Sequence, residues 1–457
     1  MKNLFLILSL LLILSNNAFS QLPNQGTYLL KNLDIAGRYY SACWGYTATN
    51  GREYAILGYS GGTAFIDITD SANIREVDVI SGISSSWREM KVYDHYAYIV
   101  SEAFNSRLQI VDLQYLPDSV SLVKVWSYPG WSNTHSISQS GPYLYLNGGN
   151  ATANGGITIL DITDPVNPVK KGQWTTQYVH DCRVLDDTIY AANINVGRIT
   201  VINATNKNSL QQIATWNNLP NPDPHNCAIT KDRNYILVTD ENNAPGKLKI
   251  WNIQDLTNIT FVTSWQPTGI TTTIVHNVEI YGDYAIIAHY TSGIRIVNIS
   301  NPASPMEAGW YDTRPLDNSN DYEGCWGVFK FPSGKIIGSD IDNGLFVIKT
   351  TFPLTDINNT TEIPDSYSLN QNYPNPYNPT TNIKFSLKDN SNVSLKIFDI
   401  QGKEVAEILN DRRDGGNYEV EFNADNFNLS SGTYFYTLNV ESGKQSFAET
   451  KKMILIK

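Results

Sequence analysis

After its first residues, this 457-residue chain has no apolar run near the roughly 18 residues that a membrane-spanning helix needs. Helical periodicity is also missing from every long stretch of the mature sequence, which removes helix bundles and coiled coils from consideration. Basic residues are in short supply. Lys and Arg number 33 against 44 Asp and Glu, for a net charge of −11 and a pI near 5.1. That balance argues against a partner recognised through nucleic-acid phosphates. The chain lacks Gly-x-Ser-x-Gly, His-Glu-x-x-His, a phosphate loop and a dinucleotide fingerprint, so the familiar hydrolase and nucleotide-binding classes gain no support. Cysteine is scarce, at four residues.

What is present is a repeat. A β-branched apolar core, usually closed by Asp or Asn, occurs seven times: Ala64 to Asp67, Gln109 to Asp112, Thr158 to Asp161, Thr200 to Asn203, Lys249 to Asn252, Arg295 to Asn298 and Leu345 to Ile348. The copies lie about 42 to 50 residues apart, the period of a four-stranded propeller blade. Each repeat reads as a first strand beginning at Trp or His (Trp44, Trp87, His135, His180, His225, His276, Trp326), a second rich in Tyr, Ala and Ile, the apolar core, and an outer strand. The expected fold is all-β: a seven-bladed β-propeller, followed by a small Ig-like β-sandwich.

No outer strand follows Ile348, but Thr27 to Asn32 is an unassigned strand-like run before the first repeat. It is expected to complete the seventh blade and close the ring, removing sheet edges at the seam. Cysteine positions agree with closure. Cys43 and Cys325 each precede Trp-Gly, and Cys182 and Cys227 each lie two residues after a blade-starting His. Among the three possible pairings the repeats favour Cys43–Cys325 with Cys182–Cys227. Four buried thiols packed as small apolar residues is the alternative.

Met1 to Asn3 is a short positive segment and Leu4 to Leu14 is almost uninterrupted apolar sequence, followed by small residues at Ala18 and Ser20. This reads as a signal peptide over 1–20, cleaved between Ser20 and Gln21, with export to a compartment that permits disulfides. The repeats then occupy 21–350, a polar linker 351–366, and a second domain 367–457 whose short strands at regular spacing suggest the sandwich.

Three segments of that second domain resemble a type IX secretion C-terminal sorting domain: Asn372 to Pro379 (Asn-Tyr-Pro-Asn-Pro-Tyr-Asn-Pro), Val393 to Val405, and Leu429 to Tyr436. The ending Lys451 to Lys457 fits as well. The resemblance implies passage across an outer membrane by the type IX secretion machinery, to release or surface attachment. The repeats, with turns such as Asp161 to Pro168 and Asn298 to Pro305, resemble LVIVD-repeat propellers of the choice-of-anchor B group. That likeness implies a fold and a location, and no substrate.

Site candidates come from the repeats themselves. First strands line a propeller axis, so His135, His180, His225 and His276 are expected to converge at one mouth, with Glu102, Asp240, Glu241, His289, Asp340 and Asp342 on the same rim. Imidazoles and carboxylates can bind a divalent transition metal. A residue repeated once per blade is also a common structural device, and Trp fills the position in three blades. Trp131 and Tyr322, on long loops at that rim, are candidates to stack on a polar ligand. A separate loop places oxygen donors at Asp317, Ser319, Asp321 and Glu323, an alternation suited to Ca²⁺, although it lacks the central Gly and distal Glu of an EF-hand. No cofactor is fixed by these patterns.

Two function classes follow. One is an exported, non-enzymatic scaffold that binds an extracellular protein or glycan. The other is a secreted metal-dependent hydrolase or lyase working in the His-lined mouth. The even spread of polar residues over the blades favours the first, because no constellation stands apart as catalytic.

Overall fold

The computed structural model describes residues 24–150, 152, 154–241, 246–315, 317–354, 366–413, 415–427, 429–442 and 445–457. The signal segment with Ser20 and Gln21, and most of the linker, lie outside the described residues.

From 24 to 350 the chain forms seven antiparallel sheets. The first strands are Tyr40–Thr47, Arg88–Tyr93, Ser136–Ser140, Asp181–Leu185, Pro224–Ile229, Val278–Tyr281 and Cys325–Lys330, and they define blades 1 to 7. They touch in sequence around an axis, and blade 7 touches blade 1. Seven apolar clusters lie between successive blades; the one joining Ala55, Leu57, Ala64 and Ile66 of blade 1 to Ile337, Leu345 and Val347 of blade 7 closes the ring. Each third strand is buried on both faces, as between two blades it must be, which explains its near-continuous apolar sequence.

The Asx that ends the repeat has a local task. Asp67, Asp112, Asp161, Asn203, Asn252 and Asn298 each accept a hydrogen bond at 2.9–3.0 Å from the backbone N–H two residues on. This Asx turn starts the connection to the outer strand. In blade 7 no such connection exists, so the position carries Ile348. Its outer strand is Thr27–Leu33, paired antiparallel with Gly344–Thr350 in the register Leu29 to Ile348 and Asn32 to Phe346. Asn32 adds a side-chain hydrogen bond of 2.8 Å to the Asn343 carbonyl. Asn24–Gln25, a strand the repeat pattern does not contain, pairs with Met306–Tyr311 as a fifth strand of blade 6. Packing continues past the expected end of the propeller: Phe352 and Leu354 lie against the cluster between blades 6 and 7.

Trp44 departs from the expected register. Its strand starts at Tyr40, so Trp44 lies deeper along the axis, 4.9 Å from the Phe329 ring.

The C-terminal segment has two sheets, one of Ser368–Leu369, Thr380–Leu387 and Gly416–Asn423, the other of Glu404–Arg413, Ser391–Phe398, Gly432–Ser442 and Gln445–Leu455. Their inner faces share one core that includes Ile383, Phe385, Leu395, Ile397, Tyr436 and Leu438. The strand Glu404–Arg413 escaped the sequence reading because its charged sequence masks the alternation.

Candidate binding site at the propeller mouth

His135 and His180 immediately precede their strands, His225 is the second residue of its strand, and His276 lies two residues before its own. The blades therefore bring the imidazoles to one level of the axis. Successive ring centroids are 4.0, 4.2 and 4.3 Å apart from His135 to His276. Trp326 continues the arc at 5.0 Å from His276, and Trp87 lies 5.9 Å from Trp326. Blade 1 contributes the small Ala42, which leaves the lining of the axial cavity asymmetric.

Two carboxylates from second-strand ends meet this row. Glu102 Oε1 is 2.6 Å from His135 Nδ1. Glu241 lies between two rings, with Oε2 3.6 Å from His225 Nε2 and Oε1 3.8 Å from His276 Nε2. Tyr290 Oη donates to Glu241 Oε1 at 2.7 Å, and the half-exposed Tyr322 meets Tyr290 edge-on at 5.5 Å. Tyr290 carried no sequence signal beyond following His289. The remaining rim acids are occupied elsewhere: Asp240 pairs with buried Lys249 at 2.7 Å, Asp340 caps the backbone N–H groups of Asp342 and Asn343, and Asp342 binds Arg314. His289 turns away and packs edge-on against Trp265 at 6.3 Å.

Burial divides these imidazoles electrostatically. Desolvation pushes His225 and His276 down to about 3, with neighbouring histidines adding to the effect. His180 is lowered for the same reasons. Burial also pulls on His135, but the Glu102 carboxylate outweighs it and holds that imidazole above its ordinary value. Protonation is thus favoured at the His135 end of the row and opposed along the rest. The buried Nδ1 atoms of His180 and His225 lack a well-formed hydrogen bond, although each ring meets the backbone of the next histidine in the row. Below the row the axis is filled with paired charges: Lys91 with Glu89 at 2.9 Å within blade 2, and Arg183 of blade 4 with Glu279 of blade 6 at 2.9 Å, Arg183 also donating to the Cys227 carbonyl.

Residues 371–457 match the family model described as "Secretion system C-terminal sorting domain", and residues 132–176 and 274–313 match the LVIVD repeat. The chain carries LVIVD repeats and a type IX sorting tail. The tail implies secretion or a cell-surface location, and among the described residues no helix is long and apolar enough to cross a membrane. No curated protein matches the chain. Among solved structures, the LVIVD propeller resembles a protein described as a candidate 6-phosphogluconolactonase from Bacteroides fragilis (10% identity, TM-score 0.51, covering 72% of this chain and 96% of that one). It also resembles a like-titled protein from Bacteroides uniformis (11%, 0.52, 70% and 95%) and U3-55K (8%, 0.50, 71% and 98%). At these identities the likeness shows the fold alone.

Within the LVIVD propeller three expectations need correction. Trp131 is 3% exposed and stacks on Tyr128 at 5.5 Å in the core between blades 2 and 3. Its loop folds inward because Trp126, Tyr128 and Trp131 bury one another, so it offers no ligand surface. The Asp317–Ser319–Asp321–Glu323 loop is not arranged around a cation position. The guanidinium of Arg314 occupies its centre, bonded to Asp317 at 2.8 Å and to Glu323 and Asp342. The Asp317 and Asp321 carboxylates also accept backbone N–H groups of Ser319 and Tyr322. Finally, Cys43, Cys182, Cys227 and Cys325 are all free and buried. They belong to four different interblade clusters, and burial raises each thiol's pKa, so they pack as apolar residues and no bridge forms.

Proposed function

We propose that the mature protein is an exported, non-enzymatic propeller that binds a polar extracellular ligand, a glycan or a protein surface, at the His-bearing mouth. The observation that carries this reading is the convergence there of the imidazole row with Glu102, Glu241, Tyr290 and the half-exposed Tyr322. An aromatic face beside fixed carboxylates can stack on a sugar ring or peptide and hydrogen-bond its polar edge. The alternative, a secreted metal-dependent hydrolase or lyase, is favoured by one specific feature, the close approach of His180, His225 and Glu241. Neither reading changes the export route, for which the sorting tail engages the type IX machinery.

Screening the mature protein against arrayed glycans and extracellular polysaccharides tests the reading. Tyr322→Ala should weaken any binding at least about tenfold while leaving the melting temperature unchanged, since its ring is largely outside the core. Binding that responds instead to changes in the turns at 164–168 and 301–305 would place the site on the opposite face.

A further inference from the structure

The mouth also has the geometry of a metal site, and this deepens the binding reading on which it rests. Ligating atoms of His180, His225 and Glu241 all lie within 4.8 Å of one another. A tetrahedral ion with bonds of about 2.1 Å holds its ligand atoms about 3.4 Å apart. His225 Nε2 and Glu241 Oε2, at 3.6 Å, are already at that spacing. His180 offers a ring nitrogen within 4.8 Å of both, its ring centroid 4.2 Å from that of His225. Direct hydrogen bonding does not account for the pair, because 3.6 Å is longer than such a bond allows.

A second observation points to a ligand. The His225 ring is already oriented for it, meeting the His276 backbone while its Nε2 faces Glu241, and the buried Nδ1 of His180 makes no well-formed hydrogen bond, which is costly for a buried nitrogen. Support for the carboxylate is also in place, since Tyr290 donates to the Glu241 oxygen that faces His276 and leaves the other oxygen turned to His225. Ligating carboxylates are characteristically held by such an outer partner.

We propose that His180, His225 and Glu241 bind one divalent first-row transition ion of the Zn²⁺ class. Two imidazoles and one carboxylate select such an ion over Mg²⁺ and Ca²⁺, which prefer all-oxygen sites. Three protein ligands leave the fourth position facing the mouth, where an anionic or hydroxyl group of the extracellular ligand coordinates the ion directly.

The test uses the full mature chain, stripped with a chelator and titrated with Zn²⁺ and, as a visible probe, Co²⁺. One equivalent should bind, with the absorption of four-coordinate Co²⁺, in the presence of excess Mg²⁺ and Ca²⁺. His225→Ala and Glu241→Gln should each weaken uptake at least about tenfold, and Tyr290→Phe by about tenfold. His95→Ala, in the turn that follows the first strand of blade 2 and so at the end of that blade away from Glu102, should leave it intact. Glu241→Gln keeps the side-chain shape, so it remains decisive if His225→Ala does not fold. No uptake by the folded chain, or uptake untouched by Glu241→Gln, overturns the inference. Glycan or protein binding by chelator-treated, metal-refractory protein would overturn it while leaving the proposed function standing. Metal uptake without ligand binding would uphold the site and remove that function.

Discussion

Acid should destabilise the propeller through its buried neutral histidines, and His289 isolates the effect because it lies apart from the mouth. Burial, with a smaller push from nearby Arg295, holds His289 at about 3 against an ordinary 6.5. Between those values the unfolded chain takes up a proton that the folded chain refuses. Stability from this group is therefore full above 6.5 and falls as pH drops toward 3. Lowering the pH from about 7.5 to about 5 integrates to ~2 kcal/mol. His225 and His276, also at about 3, have the same sign, though their 4.3 Å separation couples their protonation. His135 opposes them: its raised value contributes stability that is present below 6.5 and lost as pH rises through the folded value. Buried Asp240, raised to about 7 chiefly by desolvation, opposes them as well, so the His289 contribution is read as the difference between variant and parent. All ten tryptophans lie between Trp44 and Trp326, so urea unfolding followed by tryptophan fluorescence reports the propeller alone. With chelator present, His289→Leu should reduce the pH-dependent loss by ~2 kcal/mol. An equal loss in variant and parent would refute the idea that burial keeps this imidazole neutral.

Three further outcomes follow from named contacts. Glu53 accepts hydrogen bonds from Ser333 and pairs with buried Lys335 at 3.1 Å across the ring seam, so Glu53→Gln should cost about 3 kcal/mol in urea unfolding. Arg314→Gln should leave Asp317, Glu323 and Asp342 without their shared cation; millimolar Ca²⁺ should then raise the melting temperature of the variant and not of the parent. Trp131→Ala should destabilise the propeller by about 3–5 kcal/mol, measured the same way, because it opens a cavity between blades 2 and 3.

The blades were legible in the repeats. Strand alternation and the Ile/Val core repeat through local physics, and the terminal Asx is demanded by a turn only two residues long, which is why the one copy without that turn lacks it. Closure by Thr27–Leu33 was legible for a related reason: a repeat missing its outer strand and a surplus strand elsewhere leave one pairing. The row of four histidines was legible too, since equivalent positions in equivalent blades must share a level of the axis. Which nonequivalent groups meet is set by packing across space. Glu241, not Asp240, reaches the imidazoles because alternate residues of an extended chain point to opposite sides, and Lys249 of the next strand claims Asp240. Arg314 fills a loop that looked built for calcium, and Trp131 folds under aromatic neighbours rather than over the mouth. Loops follow no period, so their side chains are placed by whatever charge or apolar surface they find across space, and sequence spacing carries no record of that choice.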